Sequence, residues 1–357
     1  MQYTNTSFRL LISVVLMLFS VSAHSADNRY KFTFQPDLKD QIQKYDETKQ
    51  LRIAQQYGVA YLPLMIMRQN QLIEKHARAA GLGSIRVSWL RFPSGEKMNE
   101  ALRTGFLDIA TGGVVPMLRA WDKTRDSVQV KGIAALGSIP MYLNTSSPGV
   151  KTLSDFTEKD RIALPAVKQS SQAIVLQMAA ARVFGGDQYS KLDELTVSMS
   201  HPEATQALLK GQQGITAHIT SPPFQYQEIE HPGIHKVLDS YDVLGGAATF
   251  SVLWASESFR SSNPRTVKVV FAALREAMEI IRIDYRSAAR SYMQHAGSDL
   301  SEEFIYEVIT RPEVNYTTVP LNIMQYAEFM HTTGMIDRRP ADWREVFFDE
   351  AGGLPGS

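Results

Sequence analysis

The chain has 357 residues, 44% of them apolar and 21% charged, with a formal net charge of zero and no cysteine. That is enough chain for two domains with their own cores, and too apolar for extended disorder. A near-neutral surface without a long basic run argues against nucleic acid and against a polybasic membrane contact. The missing cysteine excludes disulfides, thiolate chemistry, Cys-ligated metals and a lipid carried on a Cys.

The chain begins with an address. Arg9 precedes a largely apolar run over residues 10–21, followed by the small and polar Ser22-Ala23-His24-Ser25-Ala26. The run is shorter than the roughly 20 residues a spanning helix needs, so residues 1–26 read as a secretory signal peptide cleaved after Ala23 or Ala26. Its removal leaves 36 basic against 37 acidic residues. An exported chain without cysteine is expected to be a soluble periplasmic protein. Residues 27–48 are polar, contain Pro36, and read as a loose leader.

Residues 51–54 then read as a strand and Gln55-Gln56-Tyr57-Gly58 as a turn. Pro63 sits in the first turn of a helix that runs to about Ala80 and stops at Gly81 and Gly83. Ile85, Val87 and Trp89 alternate with the period of a strand. A helix around 116–121 and strands at 128–135, 139–145 and 161–167 follow. Lys168-Gln169-Ser170-Ser171 leads into a helix closed by Gly185-Gly186. Strands at 195–199, 235–238 and 250–255 precede a helical tail over 267–285, 302–310, 320–333 and 341–348.

One segment occurs twice, 106 positions apart. Ser94, Ala101, Leu102, Gly105, Ile109 and Pro116 recur as Ser200, Ala207, Leu208, Gly211, Ile215 and Pro222. Each copy reads as a polar turn, a helix closed by Gly, and a strand ending in a loop, a fragment of an α/β sheet. Strands alternating with helices imply an α/β protein with mixed, mostly parallel sheets, doubly wound by helices. Chain order suggests two lobes: residues 49–137 plus 250–350, and an inserted 138–249. Crossings near 138–142 and 245–249 would form a two-strand hinge, with Gly245-Gly246-Ala247-Ala248 small enough to rotate.

In such sheets ligands sit beyond the carboxyl ends of the strands, where the following helices present free N–H groups. The turns there supply Tyr57, Gly58, Ser94, Gly95, Thr111, Gly112, Gly113, Gln169, Ser170, Ser171, Ser200, His201 and Ser221, with Tyr142 nearby. All are small, hydroxyl-bearing, amide or aromatic except His201, and none carries a fixed charge. Bland alternatives exist for several. Ser200 with Glu203 forms a capping box, Ser94 and Ser171 fit as helix caps, Gly112-Gly113 fits a tight turn, and Tyr57 and Tyr142 fit as half-buried aromatics. His201, at a helix start, is the one acid–base candidate, with its pKa pushed down there.

Signals for an enzyme are thin. His231 and His235 are four apart, but Pro232 and Gly233 between them prevent a helical metal pair. Neither a Gly-x-Ser-x-Gly elbow nor a phosphate loop with its Lys is present. Asp108 reads as a structural acceptor at a strand start. No catalytic residue, metal or cofactor is expected.

Arg52-Ile53-Ala54-Gln55-Gln56-Tyr57-Gly58 with the Pro63 helix, followed by Phe92-Pro93-Ser94-Gly95 and residues 101–110, resembles the nitrate/sulfonate/taurine-type solute-binding proteins of ABC importers. Val150-Lys151-Thr152-Leu153-Ser154-Asp155-Phe156 and Ala207-Leu208-Leu209-Lys210-Gly211 fit the second lobe of that family. The resemblance covers roughly residues 50–255. It implies the type II periplasmic binding protein fold, with two lobes closing on a small solute delivered to a membrane permease and its ATPase. The ligand contacts it implies are Tyr57, Ser94, Gly95, Gly112, Gly113, Gln169, Ser170, Ser171 and Ser200 with its neighbours. Gln213-Gly214-Ile215-Thr216-Ala217 stands where that family often has an Asp-Ala pair after the Gly, which weakens the case for the Ser221 loop. The expectation is a monomeric periplasmic binder of a sulfonate-, nitrate- or taurine-like anion or a small aromatic compound. The alternatives are an enzyme on the same fold, pyrimidine synthase-like or dehydratase-like, and a periplasmic ligand sensor.

Overall fold

The computed structural model describes residues 47–357. The expected signal peptide and most of the polar leader lie outside the described residues. The leader's last two residues are not loose, as expected, but docked. The buried Glu47 carboxylate accepts from the Arg265 N–H at 3.1 Å and from the Thr266 N–H and hydroxyl, both at 2.7 Å. It thereby caps a 20-residue helix whose first N–H groups lack intrahelical partners.

The first sheet begins with β1 (Gln50–Gln55), the helices α1 (Leu62–Gln69) and α2 (Leu72–Ala79), and β2 (Arg86–Arg91). The single helix expected up to Ala80 is broken because Gln71 adopts a left-handed backbone, φ 48°, which turns Leu72, Ile73 and Ala77 into the core. Next come α3 (Gly95–Arg103), β3 (Ala110–Gly113), α4 (Val114–Lys123) and β4 (Val130–Ser138). The chain then enters a second sheet through β5 (Tyr142–Thr145), β6 (Ile162–Leu164), α5 (Ser171–Phe184), β7 (Thr196–Ser198), α6 (His201–Lys210), β8 (Ala217–Thr220), α7 (Phe224–Ile229), β9 (His235–Asp239) and α8 (Ser240–Leu244). It returns through β10 (Thr249–Ser256), then α9 (Glu257–Ser262), α10 (Pro264–Ile283), α11 (Tyr285–Ala296), α12 (Glu302–Ile309), α13 (Ile323–Thr332) and α14 (Asp349–Gly352). Two local readings fail in this tail. Asp284 leaves the helical region and caps α11 through the Ser287 N–H, so the helix expected over 267–285 is followed at once by another that the sequence reading did not include. The helix expected over 341–348 is a single 3-10 turn, Trp343–Val346.

Both sheets have the same plan. In the first, β1 and β2 pair in parallel, a parallel bridge from Ile53 to Ile109 joins them to β3, and β10 runs antiparallel between β3 and β4. In the second the order is β7-β6-β8-β5-β9, with β5 the antiparallel strand. Each sheet therefore has four strands running one way and one against. In each, the opposed strand is the one the chain makes just after crossing from the other sheet. The two repeat copies occupy equivalent places: Ser94 caps α3 before β3, and Ser200 caps α6 before β8. Asp108 is structural, accepting from Arg52 N at 2.7 Å, Nε at 3.0 Å and Nη2 at 2.6 Å.

Two elements are buried along their length. All eight residues of β10 are buried, as a strand covered on both faces requires. Its Trp254 donates Nε1–H to Asn99 Oδ1 at 3.0 Å, and the Asn99 amide donates to the Pro116 carbonyl at 2.9 Å, locking α3, α4 and β10 together. Helix α5 has its first ten residues buried, the mark of a helix enclosed by protein rather than lying on a surface.

Candidate functional site

A narrow crevice runs between the two sheets, and the starts of four helices open onto it. Gly95 and Glu96 begin α3, Gly113 precedes α4, Ser170 and Ser171 begin α5, and His201 begins α6. The first two helices belong to the first sheet and the other two to the second. Each start carries unpaired N–H groups and partial positive charge, so their convergence makes a site for polar oxygens or an anion.

The contact across the crevice is tight. The Val115 N–H of α4 donates to Ser171 Oγ of α5 at 3.2 Å. A Cβ on Gly113 would run into that same hydroxyl, so only glycine permits the approach. Gly58, at φ 106°, repeats the arrangement: a Cβ there would lie 2.8 Å from the Pro222 carbonyl, which also accepts the Val59 N–H at 3.1 Å.

On the first-sheet side, Tyr61 donates to Gln56 Oε1 at 3.2 Å, and the Gln56 amide donates to the Pro93 carbonyl at 3.3 Å. Burial pushes the Tyr61 phenol far above its ordinary range, so it remains a donor and fixes the Gln56 amide. Arg91 lies over the Tyr57 ring at 5.3 Å.

The second-sheet side rests on a buried relay. The Gln172 amide nitrogen lies 3.2 Å from His201 Nε2, His201 Nδ1 lies 3.0 Å from His218 Nε2, and His218 Nδ1 lies 2.6 Å from Glu228 Oε1. Phe224 stacks on His201 with centroids 5.7 Å apart. Burial first, and the neighbouring His218 second, push the His201 imidazole well below the usual histidine range. It is neutral, as expected from its place at a helix start, but burial is the larger cause.

Of the residues singled out from sequence, Tyr57, Gly95, Gly113, Gln169, Ser170, Ser171 and His201 line the crevice. Gly58 seals its edge against Pro222, and Gly112 is packed against Gln56 and Trp254. Thr111 and Ser221 are fully buried with hydroxyls that find no partner. Ser94 caps α3 by accepting the Lys97 N–H at 3.4 Å, and Ser200 is engaged with Glu203 at 2.5 Å in the capping box. Tyr142 lies in β5, edge-on to Tyr226 at 5.6 Å and covered by Lys236.

Sequence reasoning missed Gln56, Tyr61, Gln172, Phe250 and the prolines Pro116 and Pro165. It also missed a charge. Glu96 lines the crevice, with Arg119 behind it at 3.9 Å, which corrects the expectation of a wall without formal charge. An acidic residue in the first turn of a helix is a visible signal, but it is ordinarily explained by the helix dipole alone. Among the described residues, no group of three or more His, Asp or Glu is arranged to hold a metal.

Known proteins place this architecture. An aliphatic sulfonates-binding protein of Escherichia coli K12 is 23% identical over 232 residues, 65% of this chain and 67% of that protein. The alkanesulfonate-binding protein SsuA of Xanthomonas axonopodis pv. citri, solved with bound MOPS, superposes with a TM-score of 0.66 at 20% identity, covering 84% of this chain and 99% of that one. The periplasmic nitrate-binding protein NrtA of Synechocystis PCC 6803 superposes with a TM-score of 0.57 at 13% identity, covering 73% and 70%. No protein-family model matches the sequence. The fold is that of the periplasmic binding proteins. Within that class, the proteins the chain is similar to include ones named for binding sulfonates and nitrate.

Proposed function

We propose that the chain captures a small oxyanion, an organic sulfonate foremost, in the crevice between its sheets and hands it unchanged to an ABC permease and its ATPase. The sheets act as lobes, residues 49–137 plus 250–350 and residues 138–249, that open and close about crossings at 138–142 and 245–249. The protein works as a periplasmic monomer, exported by a cleaved signal peptide. The observation that carries this reading is the meeting of four helix starts from two sheets on one crevice. The sulfonate- and nitrate-binding relatives support the choice of ligand class. With Val115 already touching Ser171 across the crevice, a solute has to enter by separation of the walls.

The test is thermal unfolding of the full chain with ethanesulfonate, butanesulfonate, taurine and nitrate, followed by calorimetry. A bound ligand at 100 times its dissociation constant stabilises by about 2.7 kcal/mol. Ser171→Ala is expected to weaken binding by about 1 kcal/mol or more while the ligand-free protein still folds. If none of the four shifts the transition, or if Ser171→Ala leaves affinity unchanged, the assignment falls.

A further inference from the structure

We propose that His218 and Glu228 are positioning residues that set the hydrogen-bonding polarity of the crevice wall, a proton taken up by the relay being felt at the crevice as a change of tautomer on His201 and a turn of the Gln172 amide. The inference rests on the proposed anion site for its consequence, though not for its geometry.

The argument starts at the far end. Glu228 is fully buried and surrounded by donors: Thr205 Oγ1 at 2.7 Å, Asn144 Nδ2 at 2.9 Å and His218 Nδ1 at 2.6 Å. The other N–H of the Asn144 amide goes to the Gln225 carbonyl at 3.0 Å. Three donors converging on its two oxygens are what a carboxylate takes, and in that arrangement Glu228 claims the Nδ1–H of His218. With His218 neutral, its Nε2 lone pair accepts the Nδ1–H of His201. His201 Nε2 is then itself a lone pair, and it draws an N–H of the Gln172 amide, the arrangement in the structure.

One added proton reverses this order. It binds His201 Nε2 from the crevice side, and the Nδ1 proton of His201 passes to His218 Nε2. His201 ends neutral, and the positive charge rests on His218 against the Glu228 carboxylate. Thr220 Oγ1, 3.0 Å from His201 Nδ1, shares that nitrogen with His218, and its hydroxyl can turn to face either an N–H or a lone pair there. His201 now presents Nε2–H to Gln172, whose amide turns its oxygen inward and frees both N–H groups. The wall gains donors, so an oxyanion binds more tightly as pH falls.

The titratable groups around His201 are few. Strand β8 brings His218 and α7 brings Glu228, while α5 contributes Gln172 and α7 also Phe224, neither of which titrates. On its own helix, Glu203 is held in the Ser200 cap. Across the crevice stand Tyr57, Tyr61 and Glu96. The neutrality of His201 agrees with a charge that settles on its neighbour.

The experiment labels histidine nitrogens in the full-length protein and follows His201 and His218 by NMR from about pH 8 to about pH 5 without ligand. The expected result is that His201 Nε2 passes from bare to protonated while its Nδ1 loses its proton and His218 becomes imidazolium. In parallel, calorimetry with butanesulfonate, whose charge is constant over that range, should show affinity rising about tenfold, with Glu228→Gln flattening the profile. The inference is overturned if His201 Nε2 stays bare throughout, if His201 itself becomes imidazolium, or if Glu228→Gln keeps the wild-type profile. Should butanesulfonate fail to bind at every pH while the nitrogens follow the expected course, the ligand reading falls and the relay stands.

Discussion

The first-sheet wall of the crevice is mostly shape, whereas the second-sheet wall is mostly side-chain chemistry. Gly95 and Gly113 bring backbone close, and Gln56 is pinned by Tyr61 and Pro93 so that it has little freedom left. Opposite them, Ser171 and Gln172 present hydroxyl and amide, with His201 and its buried relay behind. One wall decides how near the other can come, and the second decides which atoms are offered. Substitutions in the two walls should therefore fail in different ways.

The largest expected effect is on the shape side. Gly113→Ala places a methyl group against Ser171 Oγ, and overpacking of that kind costs about 1–3 kcal/mol. Because the clash arises where the walls meet, it opposes closure, and butanesulfonate affinity should drop about 10- to 100-fold. A variant that loses stability but binds normally would mean the contact belongs to the resting fold rather than to closure. The Ser171→Ala loss, about fivefold, is the corresponding chemical effect and is smaller because one hydrogen bond is at stake.

Much of this contrast was legible in the sequence, and the reason is local. Ser94 and Ser200 announce helix starts because capping chemistry is contained within four residues, and the cap read at Ser171 falls one residue earlier, at Ser170. The repeat found the equivalent strands β3 and β8 for the same reason, its punctuation lying inside one helix–strand unit. The relay was not legible. Gln172, His201, His218 and Glu228 lie on four elements at spacings that no helix or strand period relates. Their meeting is set by how α5, α6, β8 and α7 pack, which is tertiary information. The partition of the candidates has the same origin. Ser94 and Ser171 look alike as residues at helix starts, yet one spends its hydroxyl on its own helix and the other offers it across the crevice.

Glu96 sharpens the comparison with the smallest effect. It is the charged exception on the shape wall, and its carboxylate opposes an oxyanion while Arg119 only partly offsets it. Glu96→Gln is expected to raise sulfonate affinity about threefold at low ionic strength, the gain shrinking as salt is added. A loss of affinity instead would indicate that Glu96 receives a hydrogen bond from the solute, as from the ammonium of taurine.

The central claim is that the solute is held where the helix starts of the two sheets meet. A crystal structure of the full-length protein with butanesulfonate tests it most directly. The account predicts sulfonate oxygens within hydrogen-bonding distance of the Val115 N–H and Ser171, with the alkyl chain leading toward Tyr57. A sulfonate bound outside the crevice, or a crevice that holds the ligand while α4 and α5 make no contact with it, would contradict it.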